Sequence, residues 1–444
     1  MKTILVLGAG KSATVLIEDL QDACLKNNWQ LIIADASLSL AESKIKSPSV
    51  ARAAALNAKE EIQRISLIRE SDLVISLLPP SLHILVAKDC LQAEKHLLTA
   101  SYLDEEVRQL SKQISDKNLL FLYEMGLDPG IDHMSAMQLI EKIKSEGGVV
   151  KSFISHCGGL IAPENDNNPW HYKISWNPRN VVLAGKAGAT YLEEGKLIQK
   201  KYADIFKNNA SIDIKNLPSL SWYPNRDSVS YISLYQLEEA STFIRTTLRY
   251  TNFCKGWHHI VNLGLTDEKD EELIKQCKTI KDWWQKKLSL VENRDLSFSM
   301  YLELYEKEEE HPLLNQQFSF LELESEITIP NEIKCSADLL QKILEEKLAL
   351  GKDDRDLIVM IHELLVSYNG IEKKVQSSLQ VKGVDTLHTA MAKTVGLPLS
   401  IAAQLILSDQ ISIRGLRVPI MKEIYEPLLE KLKEKDIVFE ETVH

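Results

Sequence analysis

Short apolar runs recur along the first 125 residues with amphipathic stretches between them, and that alternation restricts the fold more than any other feature of the chain. Ile4-Leu5-Val6-Leu7, Leu31-Ile32-Ile33-Ala34, the run from Leu73 to Leu78, Leu97-Leu98-Thr99-Ala100 and Leu119-Leu120-Phe121-Leu122 show no polar alternation. A strand with apolar residues on both faces is covered on both faces, which is the condition of a parallel sheet with helices on either side. The intervening stretches, such as Ala13 to Cys24 and Glu105 to Ile114, carry helical spacing. Regular β-α-β alternation of this kind predicts a doubly wound parallel sheet built from these five strands.

The pattern then changes. Residues 149–155 alternate like a half-buried antiparallel strand, and Leu357 to Tyr368 turns at Asn369-Gly370 into Ile371 to Val381. Asn-Gly suits a two-residue hairpin turn in which both central residues take positive φ. Residues 265–350 are rich in Glu and Lys with Leu, Ile and Trp at helical spacing, so a mostly helical insertion is expected; the chain turns helical again after about 384. At 444 residues the chain is too long for one core, and two or three domains are expected.

Several classes are disfavoured. A formal net charge of −11 opposes nucleic acid as a partner and means that an anionic substrate must be held by local arginines. The six cysteines, at 24, 90, 157, 254, 277 and 335, form no CxxC pair and read as reduced core residues. No apolar run suggests a membrane span, and the first residues lead directly into a structural motif, so no membrane partner and a cytoplasmic protein are the expectation.

That motif is Gly8-Ala9-Gly10-Lys11-Ser12-Ala13, or GxGxxA, between the first strand and the first helix. Gly8 permits the tight turn, Gly10 lets a pyrophosphate approach the backbone, and Ala13 lets the helix pack closely on the strand. The helix N-terminus then faces the phosphates with free N–H groups. Asp35 ends the second strand at the distance where a carboxylate accepts hydrogen bonds from ribose hydroxyls and repels a 2′-phosphate, which favours NAD over NADP; a helix cap is its bland alternative. Asn57, Leu78-Pro79 and Ser101-Tyr102 fall at carboxyl ends of strands, where ligands of such sheets sit, although each is also ordinary loop chemistry.

The stretch YEMGLDPGIDH, Tyr123 to His133, follows the fifth strand. As a metal site it fails on spacing, because a Pro-Gly turn separates Asp128 from Asp132 and His133 and no other ligand cluster is near. As a turn it is well specified, with Asp132 as a helix cap and Asp128 left at the tip towards the cofactor. Further on, His156-Cys157-Gly158-Gly159 offers bare backbone N–H groups to an anion, and Arg226 and Arg249, with Arg245 nearby, are natural bidentate partners of carboxylates. Cys157 reads more readily as a small buried residue than as a nucleophile. His133, His156, His171, His258 and His259 read as structural.

Taken together, LPP…TASY, GLDPGIDHMSAM, CGGLIAPENDNNPWHYKISW, YPNRDS, TLRY and the tail LHTAMAKTVGLPLSIAAQLILSDQISIRGLRVP resemble the glutamate-forming saccharopine dehydrogenases, from Ile4 to about Glu440. The resemblance implies oxidation of the secondary amine saccharopine by a nicotinamide dinucleotide. Water then splits the imine into glutamate and 2-aminoadipate 6-semialdehyde. It implies that Lys11, Ser12, Ala13, Thr14, Asp35, Asn57, Ala58, Leu78, Ser101, Leu127, Asp128, Pro129 and Asn177 lie along the cofactor with Gly8 and Gly10. Ser101, Tyr102, Asp128, Gly158, Arg226, Thr247, Leu248 and Arg249 would contact the substrate. Asp128, Tyr102 and Cys157 are the candidates for moving protons during imine hydrolysis. Asp35 stands where fungal biosynthetic members carry an arginine suited to a 2′-phosphate. Lys11, in place of the usual aromatic, could reach a phosphate and leaves NADP possible.

The resulting expectation is a Rossmann domain over 1–127, completed by 394–444, and an α+β substrate domain over 128–393 that holds the helical insertion. By family likeness alone, that domain also carries a homodimer interface. The function expected is NAD-dependent oxidation of saccharopine in lysine degradation. The alternatives are an NADP-dependent reductase in lysine synthesis, a related opine-type dehydrogenase, and a dinucleotide sensor without turnover.

Overall fold

The computed structural model describes residues 1–207, 209–214 and 216–443. It divides into two compact units, one of Met1–Lys151, Ser233–Glu239 and Met360–His444, the other of Ser152–Ile232 and Ala240–Val359. This division places 128–151, 233–239 and 360–393 with the first unit, because the strands and helices there pack on it.

The first unit is built on a seven-stranded sheet. Its strands are β1 (Thr3–Leu7), β2 (Gln30–Asp35), β3 (Ala51–Ala55), β4 (Leu73–Ser76), β5 (His96–Thr99) and β6 (Leu120–Leu122), joined by a late strand, Gly415–Arg417. The order is Gly415–Arg417, β6, β5, β4, β1, β2, β3, and every pairing is parallel. The order reverses between β1 and β4, the point where a crevice opens outside the carboxyl ends of such sheets. The expectation of a doubly wound sheet holds, with two strands more than the five apolar runs indicated, Ala51–Ala55 and Gly415–Arg417. β3 is Ala-Arg-Ala-Ala-Ala, a string without strand propensity of its own; it becomes an edge strand by pairing with β2 from Leu31–Ala51 to Asp35–Ala55.

Helices cover the sheet. Thr14–Asn27 follows a short 3-10 turn at Lys11–Ala13, and Pro80–Ala93 follows β4. The helical stretch expected from 105 to 114 is broken into Glu105–Arg108 and Ser111–Asp116. Leu5, Leu7, Ile32, Val74, Val86, Cys90 and Phe121 form the core on one side of the sheet. On the other, Ala390–Leu407 packs against Thr14–Asn27 so closely that a Cβ on Gly396 would lie 2.8 Å from the Leu16 nitrogen. This helix corrects the reading of the apolar runs: with a mean hydropathy of 1.5 over 18 residues it is long and apolar enough to cross a membrane, and 83% of it is buried within the chain.

The hairpin at Asn369-Gly370 forms as expected, between Asp356–Tyr368 and Ile371–Lys382, with φ of 50° and 86° at the two turn residues. In the second unit, Thr242–Tyr250 pairs with the strand Gly148–Ile161 and with Leu220–Pro224. The pairing with Gly148–Ile161 is parallel, where alternation along 149–155 suggested an antiparallel partner; alternation reports which faces are buried and says nothing of direction. Helices Glu271–Lys275, Ile280–Glu292, Phe298–Tyr305, His311–Phe320 and Ser336–Lys347 make up the insertion. Trp257, Trp283, Phe318 and Leu340 belong to its core. All six cysteines are buried, and none of them is in a disulfide.

Candidate active site

The first group of expected residues lines the carboxyl rim of the parallel sheet. Gly8 follows β1 with φ of 101°, its N–H donating to Ala34 O at 2.8 Å, and a Cβ there would meet Leu77 O at 3.2 Å. Only glycine suits that conformation and that contact. Around Gly10 nothing lies within 4 Å of where a Cβ would stand, so the backbone is open to a ligand. Lys11 is exposed, Ser12 half-buried, and Ala13 and Thr14 are buried against the sheet. Lys44, which no sequence motif marks, donates from Nζ to Thr14 Oγ1 at 2.6 Å and sets a cation beside the first helical turn. The turn thus fits a dinucleotide phosphate.

Asp35 is anchored at the end of β2. Its Oδ2 accepts from Ala9 N at 2.8 Å and its Oδ1 from Ser37 N at 2.9 Å, so the carboxylate is tied to the glycine turn itself. Beyond β3, Asn57 accepts through Oδ1 from Lys59 N at 3.1 Å. Ala58 O accepts from Arg64 Nη1 at 2.7 Å, and Arg64 Nε pairs with Asp89 Oδ2 at 2.5 Å inside the fold, an ion pair that holds this loop. Leu78, past the end of β4, is half-buried at the rim.

The loops after β5 and β6 are bound side by side. Glu124 N donates to Ser101 O and Met125 N to Thr99 O, both at 3.0 Å. Tyr102 donates its hydroxyl to Asp128 Oδ1 at 3.2 Å. Asp128 is half-buried, with Leu127 and Pro129 buried on either side, and the Asp128–Pro129 peptide is cis. Gly130, at φ of 147°, sits so close to Gly126 that a Cβ would lie 2.0 Å from Gly126 O. The helix that follows runs from Ile131 to Ser145, and Asp132 Oδ1 accepts from Gly130 N at 2.6 Å. Beneath the loop, His133 Nδ1 lies 2.6 Å from Tyr235 Oη and Nε2 2.9 Å from Glu124 Oε2, while Glu124 Oε1 accepts from Leu103 N at 3.0 Å. Glu124 and Tyr235 had no signal of their own in the sequence; the contact with His133 spans a separation of 102 residues.

The second group lies in the second unit. Cys157 is the register partner of Thr247, Thr247 of Tyr223, and Arg249 of Ser221. Side chains two apart on a strand share a face, and so do register partners, so Cys157, Tyr223, Thr247 and Arg249 stand on one face of this sheet. Gly158 lies on the neighbouring position because a Cβ there would meet Leu248 Cβ at 2.7 Å and Leu248 O at 2.9 Å. Arg249 is 4% exposed and donates from Nη1 to Leu248 O at 2.8 Å; among the described residues its Nε meets no acceptor. Around the guanidinium carbon lie the rings of Tyr172 at 5.1 Å, Phe253 at 5.5 Å and Tyr223 at 5.9 Å. Among the described residues no carboxylate pairs with it.

Arg226 is exposed, at φ of 49°, in the short strand Arg226–Asp227 beside Ala189–Thr190. Asn177 uses its side-chain oxygen to cap the helix Pro178–Val182, accepting from Arg179 N at 2.9 Å. The other histidines have partners: Thr246 for His156 at 2.7 Å, Asp166 for His171 at 2.6 Å, Asn262 for His258 at 2.9 Å and Tyr301 for His259 at 2.9 Å.

Known proteins share this organisation. A family model described as the saccharopine dehydrogenase NADP binding domain matches residues 4–122, and one described as the saccharopine dehydrogenase C-terminal domain matches residues 126–438. Alpha-aminoadipic semialdehyde synthase, mitochondrial, of Rattus norvegicus is 34% identical over 442 residues, which is 99% of this chain and 47% of that protein. The chain thus spans about half the length of the first curated relatives it matches. Saccharopine dehydrogenase (NADP(+), L-glutamate-forming) of Schizosaccharomyces pombe is 32% identical over 451 residues, 100% of this chain and 99% of that one. Among solved structures, the apo histidine-tagged saccharopine dehydrogenase (L-Glu forming) from Saccharomyces cerevisiae superposes with a TM-score of 0.87 at 29% identity, covering 100% of both chains. The chain belongs to the saccharopine dehydrogenase family.

Proposed function

We propose that this chain oxidises saccharopine with NAD to L-glutamate and 2-aminoadipate 6-semialdehyde, a step of lysine degradation. The observation that carries the reading is Arg249. A guanidinium stays charged at any ordinary pH, and burying it without a counter-charge costs several kcal/mol unless a ligand supplies one. An amino acid with three carboxylates is such a ligand, and the fungal relatives' names specify a saccharopine-oxidising, glutamate-forming reaction for those proteins.

A dinucleotide held at this rim would supply a hydride acceptor for oxidation of the substrate's secondary amine. The chain's own contribution is binding and proton handling. The Gly8–Gly10 turn takes the pyrophosphate and Asp35 the ribose hydroxyls, while Arg249 and Arg226 take substrate carboxylates. Asp128, already paired with the Tyr102 hydroxyl, holds a proton during the hydrolysis of the imine. Cys157, on the same strand face as Arg249, is the remaining candidate for that task.

NADP is the second reading, favoured by the description of the matched domain and by the fungal relatives' names. Asp35 supports NAD, because a carboxylate held at the end of β2 by two backbone N–H groups repels a 2′-phosphate. The test is one assay: purified chain and saccharopine with NAD or NADP, followed at the absorbance of the reduced nicotinamide. Turnover faster with NADP would reverse the cofactor assignment, and no turnover with either would refute the proposal. A homodimer belongs to the same reading and is checked by light scattering after size exclusion.

A further inference from the structure

His83 lies on the helix Pro80–Ala93, is 2% exposed, and bridges two serines. Its Nδ1 is 3.0 Å from Ser76 Oγ, at the last residue of β4, and its Nε2 is 2.7 Å from Ser101 Oγ, just past β5. Burial pushes its pKa down to about 4, so the ring is neutral and has one donor and one acceptor. Ser76 is 0% exposed, and among the described residues its hydroxyl has no other hydrogen-bond partner. If Nδ1 carried the ring proton, the Ser76 hydroxyl proton would be buried without an acceptor, a state costly enough to be avoided. The favoured arrangement therefore runs one way. Ser76 donates to Nδ1, Nε2–H donates to Ser101 Oγ, and the Ser101 proton is left to point away from His83. The chain ends at a buried serine, so it orients a hydroxyl and conducts no proton to solvent.

We propose that His83 is a positioning residue that makes the Ser101 hydroxyl a hydrogen-bond donor to an acceptor oxygen, carboxylate or carboxamide, of the ligand bound at the sheet's rim. The proposal rests on the saccharopine reading for the identity of that ligand. Ser101 is otherwise pinned through its backbone, with N–H to Thr99 Oγ1 at 3.2 Å and C=O to Glu124 N at 3.0 Å, so His83 decides only where its hydroxyl points.

Two amides separate the nitrogens of the ring. In His83→Gln the side-chain NH2 reaches the place of Nε2 and can still donate to Ser101; in His83→Asn the amide reaches only the place of Nδ1. The full chain is assayed with saccharopine and NAD as wild type, H83N, H83Q, S101A and H83N/S101A, with Tm and the NAD dissociation constant measured for each. The expected result is that H83N and S101A each lower kcat/KM roughly tenfold, the double variant falls no further than S101A, and H83Q recovers to within about threefold of wild type. Losses that multiply in the double variant, or H83Q no better than H83N at matched Tm, would overturn the proposal. S101A and H83Q keep it falsifiable should H83N fold poorly. Absence of wild-type turnover would refute the functional reading alone; the same pattern is then sought in the NAD dissociation constants, where multiplying losses or no loss at all overturns the role of His83.

Discussion

Replacing Arg249 by methionine separates binding from stability. The guanidinium is buried, makes one hydrogen bond to Leu248 O and faces three aromatic rings. Losing that bond costs about 1 kcal/mol and losing the ring contacts roughly another 1–2 kcal/mol. Against this, replacing a buried charge by an apolar side chain of similar volume gains about 1–4 kcal/mol. The two sides nearly cancel, so the ligand-free protein should change by no more than about 2 kcal/mol, a Tm shift of at most roughly 8 °C in either direction. Catalysis has no such compensation. A substrate carboxylate left without its buried cation loses about 3–5 kcal/mol, or roughly 10²–10⁴ in kcat/KM. Scanning calorimetry and steady-state kinetics on the same preparation read both, and the NAD dissociation constant should stay within about twofold. A fall in Tm well beyond that range with KM for saccharopine unchanged would show that Arg249 holds the fold together, and the substrate argument would fail with it.

Three further outcomes follow from particular contacts. Asp35→Ser removes the carboxylate that would oppose a 2′-phosphate, and the ratio of kcat/KM for NAD over NADP should drop by about tenfold or more; an unchanged ratio would clear Asp35 of any part in cofactor choice. Gly130→Ala must accommodate a Cβ 2.0 Å from Gly126 O at φ of 147°, so more than about 4 kcal/mol of stability should be lost, or the Asp128 loop rebuilt with loss of turnover, read by denaturant titration and assay. His388 hydrogen-bonds Asp385 and faces Glu18, which raises its pKa above the usual 6.5. Its stabilisation is therefore complete below about pH 6.5 and lost as the pH rises through the higher folded value. With a third of the side chain exposed the effect is screened to roughly 0.5 kcal/mol, and His388→Ala should lie below wild type at pH 6 and meet it above that folded value; parallel stability curves would contradict this.

In the site, local and distant contributions divide. Lys44 and His83 carry no motif, since a histidine on a helix or a lysine just past the end of one is ordinary until its neighbours are known. Likewise, the environment of Arg249 is assembled from Tyr172 in a loop, Tyr223 on a strand and Phe253 on a helix.

Local physics by itself determined the parallel core, the glycine turn, the Asn369-Gly370 hairpin and the helical insertion. Unbroken apolar runs, a glycine that must take positive φ and a 3.6-residue period are properties of a few neighbouring residues. Only the tertiary structure decided that Ala51–Ala55 is a strand, that Thr242–Tyr250 runs parallel to Gly148–Ile161, and that the apolar helix Ala390–Leu407 is buried against Thr14–Asn27. Each depends on a partner distant in the chain: an edge in need of hydrogen bonds, a direction that side-chain alternation does not encode, and an apolar surface whose destination composition leaves open.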